Sequence, residues 1–282
     1  MIQILKQARA AFGLLNPEEV RRRAGRQIHV GLVASSEQGY AEMEDFLVPT
    51  ALPREQRIDA MGYVHRAGDA NAPAKVDMVL YEENLEAPKG AFLFHRADPE
   101  RTMDEILDKK DEMSLALSRQ FLAFRKPVID GIVQSVAREN AMFVVATALP
   151  NVIPSAMELP WALGEFASDT AFLTGNQIRM AFLIGAACGS DIGLAAQKGA
   201  VLSIIASAFG WRALARELAG KIPLGEGLIP KGAIAYAGTF VVGKAIQRFH
   251  NGNPLTRNER EQVYREALDH GKNVAGSFDV RS

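Results

Sequence analysis

The chain has 282 residues, 48% of them hydrophobic and 23% charged, which is typical of a folded globular protein and excludes disordered, collagen-like and coiled-coil chains. Thirty-two basic and 33 acidic residues give a formal net charge of -1, so no overall basic field favours nucleic acid as a partner. The single cysteine, Cys188, excludes an intramolecular disulfide and a cysteine-based zinc site. Together with the lack of a signal-peptide pattern over residues 1–26, it predicts a cytoplasmic protein.

The first part of the chain predicts a small α/β domain over residues 1–126. Apolar residues at helical spacing predict an amphipathic helix over residues 2–15, and the start signals at residues 16–19 (NPEE) open a second helix to about Arg26. Apolar and β-branched runs predict strands at residues 28–34, 60–65, 76–81 and 91–95, with a helix over residues 40–47. Residues 98–99 (DP) open a helix toward Arg125, which Pro127 ends or kinks.

The second part predicts an all-helical domain over residues 127–282. Glycine, alanine and aliphatic residues dominate from Val128 to Phe249, and strand signals disappear. Proline, glycine and asparagine at the joints separate helices over residues 128–149, 158–188, 193–218 and 230–250. After a break at residues 251–254 (NGNP), the sequence TRNE at residues 256–259 is a capping box that opens a polar helix to about Val274.

The loop after the first predicted strand has the spacing of a phosphate-binding loop. In residues 34–41, however, only Gly39 matches the pattern, because Tyr40 and Ala41 stand where a lysine and a serine or threonine are required. Glu37 adds negative charge where polyphosphate would lie. We therefore interpret the segment as a strand–loop–helix scaffold that has lost nucleotide binding, while an ordinary turn unrelated to nucleotides and a working nucleoside triphosphatase stay open as alternatives.

Four segments further along carry a family resemblance. They are residues 158–161 (ELPW), 176–180 (NQIRM), 221–230 (KIPLGEGLIP) and 235–239 (AYAGT). Their order over about residues 127–249 resembles the YcjF-type domain of unknown function that lies C-terminal to bacterial GTPase domains. The resemblance implies that the first half is a shortened, decayed GTPase-like domain and that the protein associates with the bacterial inner membrane. It brings no catalytic residues.

Three acidic residues of the helical part form a candidate site. Glu165 follows Glu158 by seven positions and Asp169 follows it by eleven. These spacings place all three carboxylates on one face of a helix. Carboxylates on a shared face can bind a cation or transfer protons. The alternative is a polar stripe that faces Arg179 or solvent, since no histidine or lysine partner is identifiable.

Small residues recur every four positions in two predicted helices. One stripe contains Ser203 and the other contains Gly243, and each allows another backbone to approach closely. The uncharged segment from Asn140 to Met157 is interrupted by prolines, which argues against a straight membrane span. Docking on a membrane, a re-entrant hairpin and a water-soluble bundle are all compatible with these patterns, and so is self-association.

These patterns predict a non-enzymatic scaffold or interaction protein with an unidentified protein partner. The five histidines lack metal-ligand spacing, so neither a metal nor another cofactor is expected. The basic run at Arg21–Arg23 forms either a solvated face or a contact with an anionic membrane surface. The alternative function is a nucleotide-dependent, GTPase-like enzyme or switch.

Overall fold

The described residues form two compact units. The structure, a computed structural model, describes residues 17–147, 169–192 and 228–279. One unit comprises Arg21–Val128 with Ala186–Gly189, and the other takes in the remaining described residues. The first holds a parallel sheet with helices and the second is helical, so the fold class predicted from the sequence is confirmed. The domain boundary at residues 126–127 stays a prediction.

Helices and strands alternate through the α/β unit. In chain order the elements are α1 Pro17–Ala24, β1 Val30–Val33, α2 Glu37–Leu47, α3 Arg54–Met61, β2 Val64–Arg66, β3 Met78–Glu82, β4 Phe92–Phe94, α4 Pro99–Lys109, a 3-10 turn Asp111–Met113 and α5 Ser114–Gln120. The predicted helix over residues 2–15 lies outside the described residues.

The four strands form a parallel sheet in the order β2-β1-β3-β4. Burial alternates along β1, β3 and β4, so every second side chain enters the core. On the buried face, Leu80 of β3 and Phe94 of β4 lie with Met43 of α2 in the core. The amide of Gln120 binds both the N–H and the carbonyl of Ile28, at 3.0 and 2.6 Å, and so continues the hydrogen bonding ahead of β1.

Two sequence predictions in this unit are wrong in their boundaries. Residues 60–61 end helix α3 instead of beginning a strand, and β2 starts at Val64. The helix expected from residue 98 to Arg125 is broken at Lys110 and again at Phe121. Four consecutive residues from Leu115 to Ser118 are buried, which one straight helix with a single apolar stripe would not achieve.

The helical unit is built on three long helices and part of a fourth. They are α6 Leu122–Thr147, which begins in the α/β unit, then α7 Asp169–Ala187, α8 Leu228–His250 and α9 Arg257–Asp279. Pro127 lies inside α6, so of the two expectations for it, that it ends or that it kinks a helix, the first is wrong. The helix predicted over residues 193–218 lies outside the described residues, as does Ser203.

Small residues let the long helices approach closely. A Cβ added at Gly243 of α8 would lie 2.6 Å from a methyl of Val133 and 3.0 Å from the sulfur of Met180. At Gly271 of α9, it would lie 3.0 Å from the Ala233 carbonyl. These distances are shorter than ordinary van der Waals contacts, so only glycine fits without a shift.

The predicted capping box at the start of α9 is present. Thr256 and Glu259 bond each other reciprocally: the Glu259 carboxylate accepts from the Thr256 N–H at 2.8 Å, and the Thr256 hydroxyl accepts from the Glu259 N–H at 3.3 Å. The helix runs five residues beyond the predicted end, to Asp279. Across the described parts of the chain, no helix combines the length and apolar character needed to cross a bilayer.

Candidate functional site

The carboxyl ends of the parallel strands define the candidate site. The chain leaves β1 toward β2 on one side and later enters β3 on the other side of β1, so the strand order reverses between β1 and β3. Ligands of open α/β sheets bind at such a reversal, beyond the carboxyl ends of the strands. Five residues lie there and are called the strand-end site below: Ser35, Gly39, Arg66, Glu82 and Arg96.

A glutamate from β3 fills the loop that follows β1. Its Oε2 accepts the backbone N–H of Ser35 at 2.8 Å and the Ser35 hydroxyl at 2.7 Å. A Cβ added at Gly39 would lie 2.7 Å from the carboxyl carbon of Glu82. The carboxylate therefore lies against the first turn of α2, where an anionic ligand binds a helix N-terminus.

The local sequence explains how the loop holds this geometry. Ser36 is the N-cap of α2, and its hydroxyl accepts the Gly39 N–H at 3.0 Å. Glycine at position 39 leaves room for the incoming carboxylate, which any side chain would displace. Three donors of the loop, the Ser35 N–H and hydroxyl and the Gly39 N–H, are thus bonded within the protein itself.

Hydrogen bonding keeps Glu82 ionised although its side chain is 8% exposed. The backbone N–H of Ser35 lowers the pKa of Glu82 most, followed by the Ser35 hydroxyl, while burial raises it and Arg96 lowers it slightly. The Arg96 guanidinium lies 3.5 Å from Glu82 and 2.5 Å from Glu42 of α2. An ionised carboxylate therefore lies within the loop that follows β1.

Sequence reasoning identified a different carboxylate at this loop. It pointed to Glu37, but that side chain is 86% exposed and pairs with Arg66 at 2.7 Å. Glu82 lies 47 residues from Ser35 in the chain, and only the parallel pairing of β1 with β3 brings the two together. Its position at the end of a predicted strand was the signal available in the sequence.

Arg66 organises the other side of the strand-end site. Its guanidinium forms bonds of 2.6 and 3.0 Å to Glu44 and lies 5.0 Å from the ring centroid of Tyr40. The hydrogen bond to Glu44, followed by the one to Glu37, raises the pKa of Arg66. Tyr40 stands where a phosphate-binding loop carries lysine. Its ring contacts the Arg66 guanidinium, which is already bonded to carboxylates of α2.

The acidic face predicted in the helical unit is described only in part. Glu158 and Glu165 lie outside the described residues, and Asp169 is the first residue of α7, with no description of its side chain. Arg179, the proposed partner of that face, forms a short ion pair with Glu139 of α6.

A buried polar ladder joins three helices of that unit, and sequence reasoning missed it. Asn176 donates to the Asn140 carbonyl oxygen at 2.8 Å, and Asn140 donates to the Thr239 hydroxyl at 2.7 Å. All three side chains are almost fully buried. Polar residues inside apolar helices were the available signal, and bonding to one another gives these buried amides partners for their N–H groups.

Cys188 is a free, partly buried thiol. Burial raises its pKa, with a smaller opposing effect from Arg125, so the environment disfavours the reactive thiolate. In the parts of the chain that the structure describes, no group of three or more histidine, cysteine, aspartate or glutamate side chains is arranged to hold a metal ion.

Comparisons of this chain with models of protein families, with curated proteins and with solved structures returned no match.

Proposed function

We propose that this protein is a non-enzymatic scaffold or interaction protein of the cytoplasm, in which a strand–loop–helix of nucleotide-binding type serves as structure. The observation that carries the proposal is the Glu82 carboxylate held by Ser35 against Gly39. An ionised carboxylate there repels a polyphosphate, because like charges in contact disfavour each other.

Three donors of this loop are already bonded within the protein. The Ser35 N–H and hydroxyl donate to the Glu82 carboxylate, and the Gly39 N–H donates to the Ser36 hydroxyl. Tyr40 and Ala41 supply neither the cation nor the magnesium-binding hydroxyl of a working phosphate loop. A nucleotide would have to displace the Glu82 carboxylate and would gain neither a lysine nor a magnesium-binding hydroxyl.

Isothermal titration of the full chain with magnesium and GTP, and separately with ATP, tests this proposal. We expect no binding in the micromolar range for the wild type. Micromolar binding that is lost in Gly39→Asp but kept in Gly131→Asp would overturn the proposal and support the GTPase-like alternative. Gly131 is a suitable control because it is a helical glycine with nothing within 4 Å of an added Cβ.

The YcjF-type resemblance supports a peripheral association with the inner membrane as part of this proposal. Arg21 and Arg22 of α1 are exposed and could contact anionic lipid. Such attraction contributes about 1 kcal/mol per basic residue and is screened by salt. We therefore place the protein on the membrane surface instead of within the bilayer.

Sedimentation with vesicles checks the membrane part. The wild type should bind vesicles that contain phosphatidylserine, should not bind pure phosphatidylcholine, and should be released by high salt. The double variant Arg21→Gln/Arg22→Gln should lose binding, while Arg257→Gln/Arg260→Gln, which removes two exposed arginines elsewhere, should keep it. Retention until detergent is added, or no binding to either vesicle, would contradict surface docking.

A further inference from the structure

Two histidines bond each other across the edge of the sheet. Nδ1 of His29, just before β1, lies 3.0 Å from Nε2 of His65 in β2. The ring planes are 21° apart with centroids at 5.2 Å, and His65 is 7% exposed. Because a hydrogen bond between two imidazole nitrogens contains a single hydrogen, one ring must donate and the other accept.

Strand register brings these rings together. His65 pairs with Gly31, and alternating side chains place His29 and Gly31 on the same face of the sheet. The backbone of His29 is fixed from the other side, since its N–H donates to Asp77 at 2.9 Å and its carbonyl accepts from the Asp77 N–H at 2.8 Å. The bond is therefore a cross-strand link between β1 and β2.

The charged groups facing the pair can balance one added proton. Asp69, in the turn after β2, lies 3.4 Å from the second nitrogen of His65. The N–H of Asn71, and to a lesser degree His65, lower the pKa of Asp69, which keeps that carboxylate negative. Asp77 is paired with Arg26 at 2.5 Å, so those two charges cancel. The ring of Tyr63 lies edge-on to His29, with centroids 5.3 Å apart.

We propose that His29 and His65 form a proton-operated latch that holds edge strand β2 on the sheet and opens when both rings are protonated. With no added proton, one N–H links the rings. With one, the imidazolium donates to the neutral ring in a stronger, charge-assisted bond, with Asp69 opposite. With two, both facing nitrogens carry hydrogen, so the bond is lost and two positive charges lie in contact.

Opening of the latch acts on a short strand that anchors α2. Strand β2 has three residues and lies at the edge of the described sheet. The residue after His65 is Arg66, which binds Glu44 and Glu37 of α2. Loss of the His29–His65 bond thus loosens the strand from which α2 is held at the strand-end site.

Proton counting by chemical denaturation tests the latch in the full chain. Two separate imidazoles take up two protons as the pH falls through the ordinary histidine pKa of about 6.5, whereas the closed latch has room for one added proton. On acidification the folding equilibrium constant of the wild type should therefore fall relative to that of His29→Gln, by up to about tenfold per pH unit for the one proton that only the unfolded chain binds. The variant has no second imidazole beside His65 and cannot form the latch.

A matched control and a second readout complete the experiment. His270→Gln, which removes an exposed histidine of α9, should keep the wild-type pH dependence. Amide exchange of residues 64–66, corrected for the intrinsic effect of pH, should rise at about pH 5 in the wild type. An unchanged pH dependence in His29→Gln overturns the latch.

A direct count of protons keeps the test decisive if His29→Gln does not fold. Imidazole ¹⁵N shifts of the wild type should then show one proton taken up by the pair while β2 stays protected. His65→Gln supplies the same comparison from the other ring. Uptake of two protons with residues 64–66 still protected would refute the proposal.

Discussion

The central contact at the residue scale is that of Glu82 with Ser35 and Gly39. The hydrogen bonds from Ser35 to Glu82 are short, and the Glu82 side chain is buried. The space beside Gly39 is filled by the Glu82 carboxylate. A carboxylate from a neighbouring strand thereby replaces an external anion. This arrangement makes the loop stable without a ligand, which is the physical basis of the proposed scaffold function.

Gly39→Ala tests how tightly this contact is packed. The added Cβ would lie 2.7 Å from the Glu82 carboxyl, so the carboxylate must leave its bonds to Ser35. We expect a loss of about 1–3 kcal/mol in the free energy of unfolding, measured by chemical denaturation. Gly131→Ala, with open space around the Cβ, should gain up to about 1 kcal/mol from helix propensity. Equal changes in the free energy of unfolding for Gly39→Ala and Gly131→Ala would contradict close packing of Glu82 against Gly39.

At the element scale, close packing of α8 against its neighbours distinguishes the helical unit. Gly243 meets Val133 of α6 and Met180 of α7, while Asn140 of α6 connects through the polar ladder to α7 and α8. The same three helices are thus joined by an apolar contact and a buried polar one. Buried polar groups fix the register of helices, because a slip would leave them without partners.

Gly243→Ala tests the apolar contact. A Cβ there would lie 2.6 and 2.7 Å from the two methyls of Val133, which is itself fully buried and has little room to move. We expect the free energy of unfolding to fall by about 1–3 kcal/mol in spite of the better helix propensity of alanine. The matched control is Gly276→Ala in α9, where the nearest atom lies at 4.0 Å. Similar thermal unfolding of both variants would argue against close packing at Gly243.

At the scale of the whole molecule, each unit carries a glutamate that is held ionised. In the helical unit, the Thr256 N–H lowers the pKa of Glu259 most, followed by the Thr256 hydroxyl. In the α/β unit, the N–H and hydroxyl of Ser35 lower the pKa of Glu82. A lowered pKa in the folded state means that ionisation stabilises folding above the ordinary glutamate pKa of about 4.3, and that this contribution is lost as pH falls through the folded pKa.

Acid titration of the stability tests this dependence. Glu82→Gln and Glu259→Gln should each lower the melting temperature at neutral pH, and the difference from wild type should shrink as the pH falls below the ordinary glutamate pKa, because protonation then removes the contribution of the ionised carboxylate. Glu86→Gln, at an exposed position, should show no such convergence. A difference that stays constant from neutral to acid pH would contradict the role of ionised Glu82 and Glu259.

The sequence by itself determined the local features, because their causes lie within a few residues. The capping box at Thr256, the start of α1 at Pro17 and the strand–loop–helix around Gly39 depend on backbone donors and side chains close in the chain. Apolar and β-branched runs likewise predicted strands β1, β3 and β4. The absence of lysine, and of serine or threonine, at positions 40 and 41 was also visible in the sequence alone.

Only the tertiary structure decided which distant groups meet. Glu82 reaches Ser35 across 47 residues, His29 reaches His65 across 36, and Asn140 reaches Thr239 across 99. Strand order and helix packing select these partners, and no local periodicity encodes either one. The breaks at Lys110 and Phe121 have the same origin, since burial of Leu115–Ser118 on several sides overrides a continuous helical pattern. The candidate site therefore follows from pairing between segments, while its building blocks follow from the sequence.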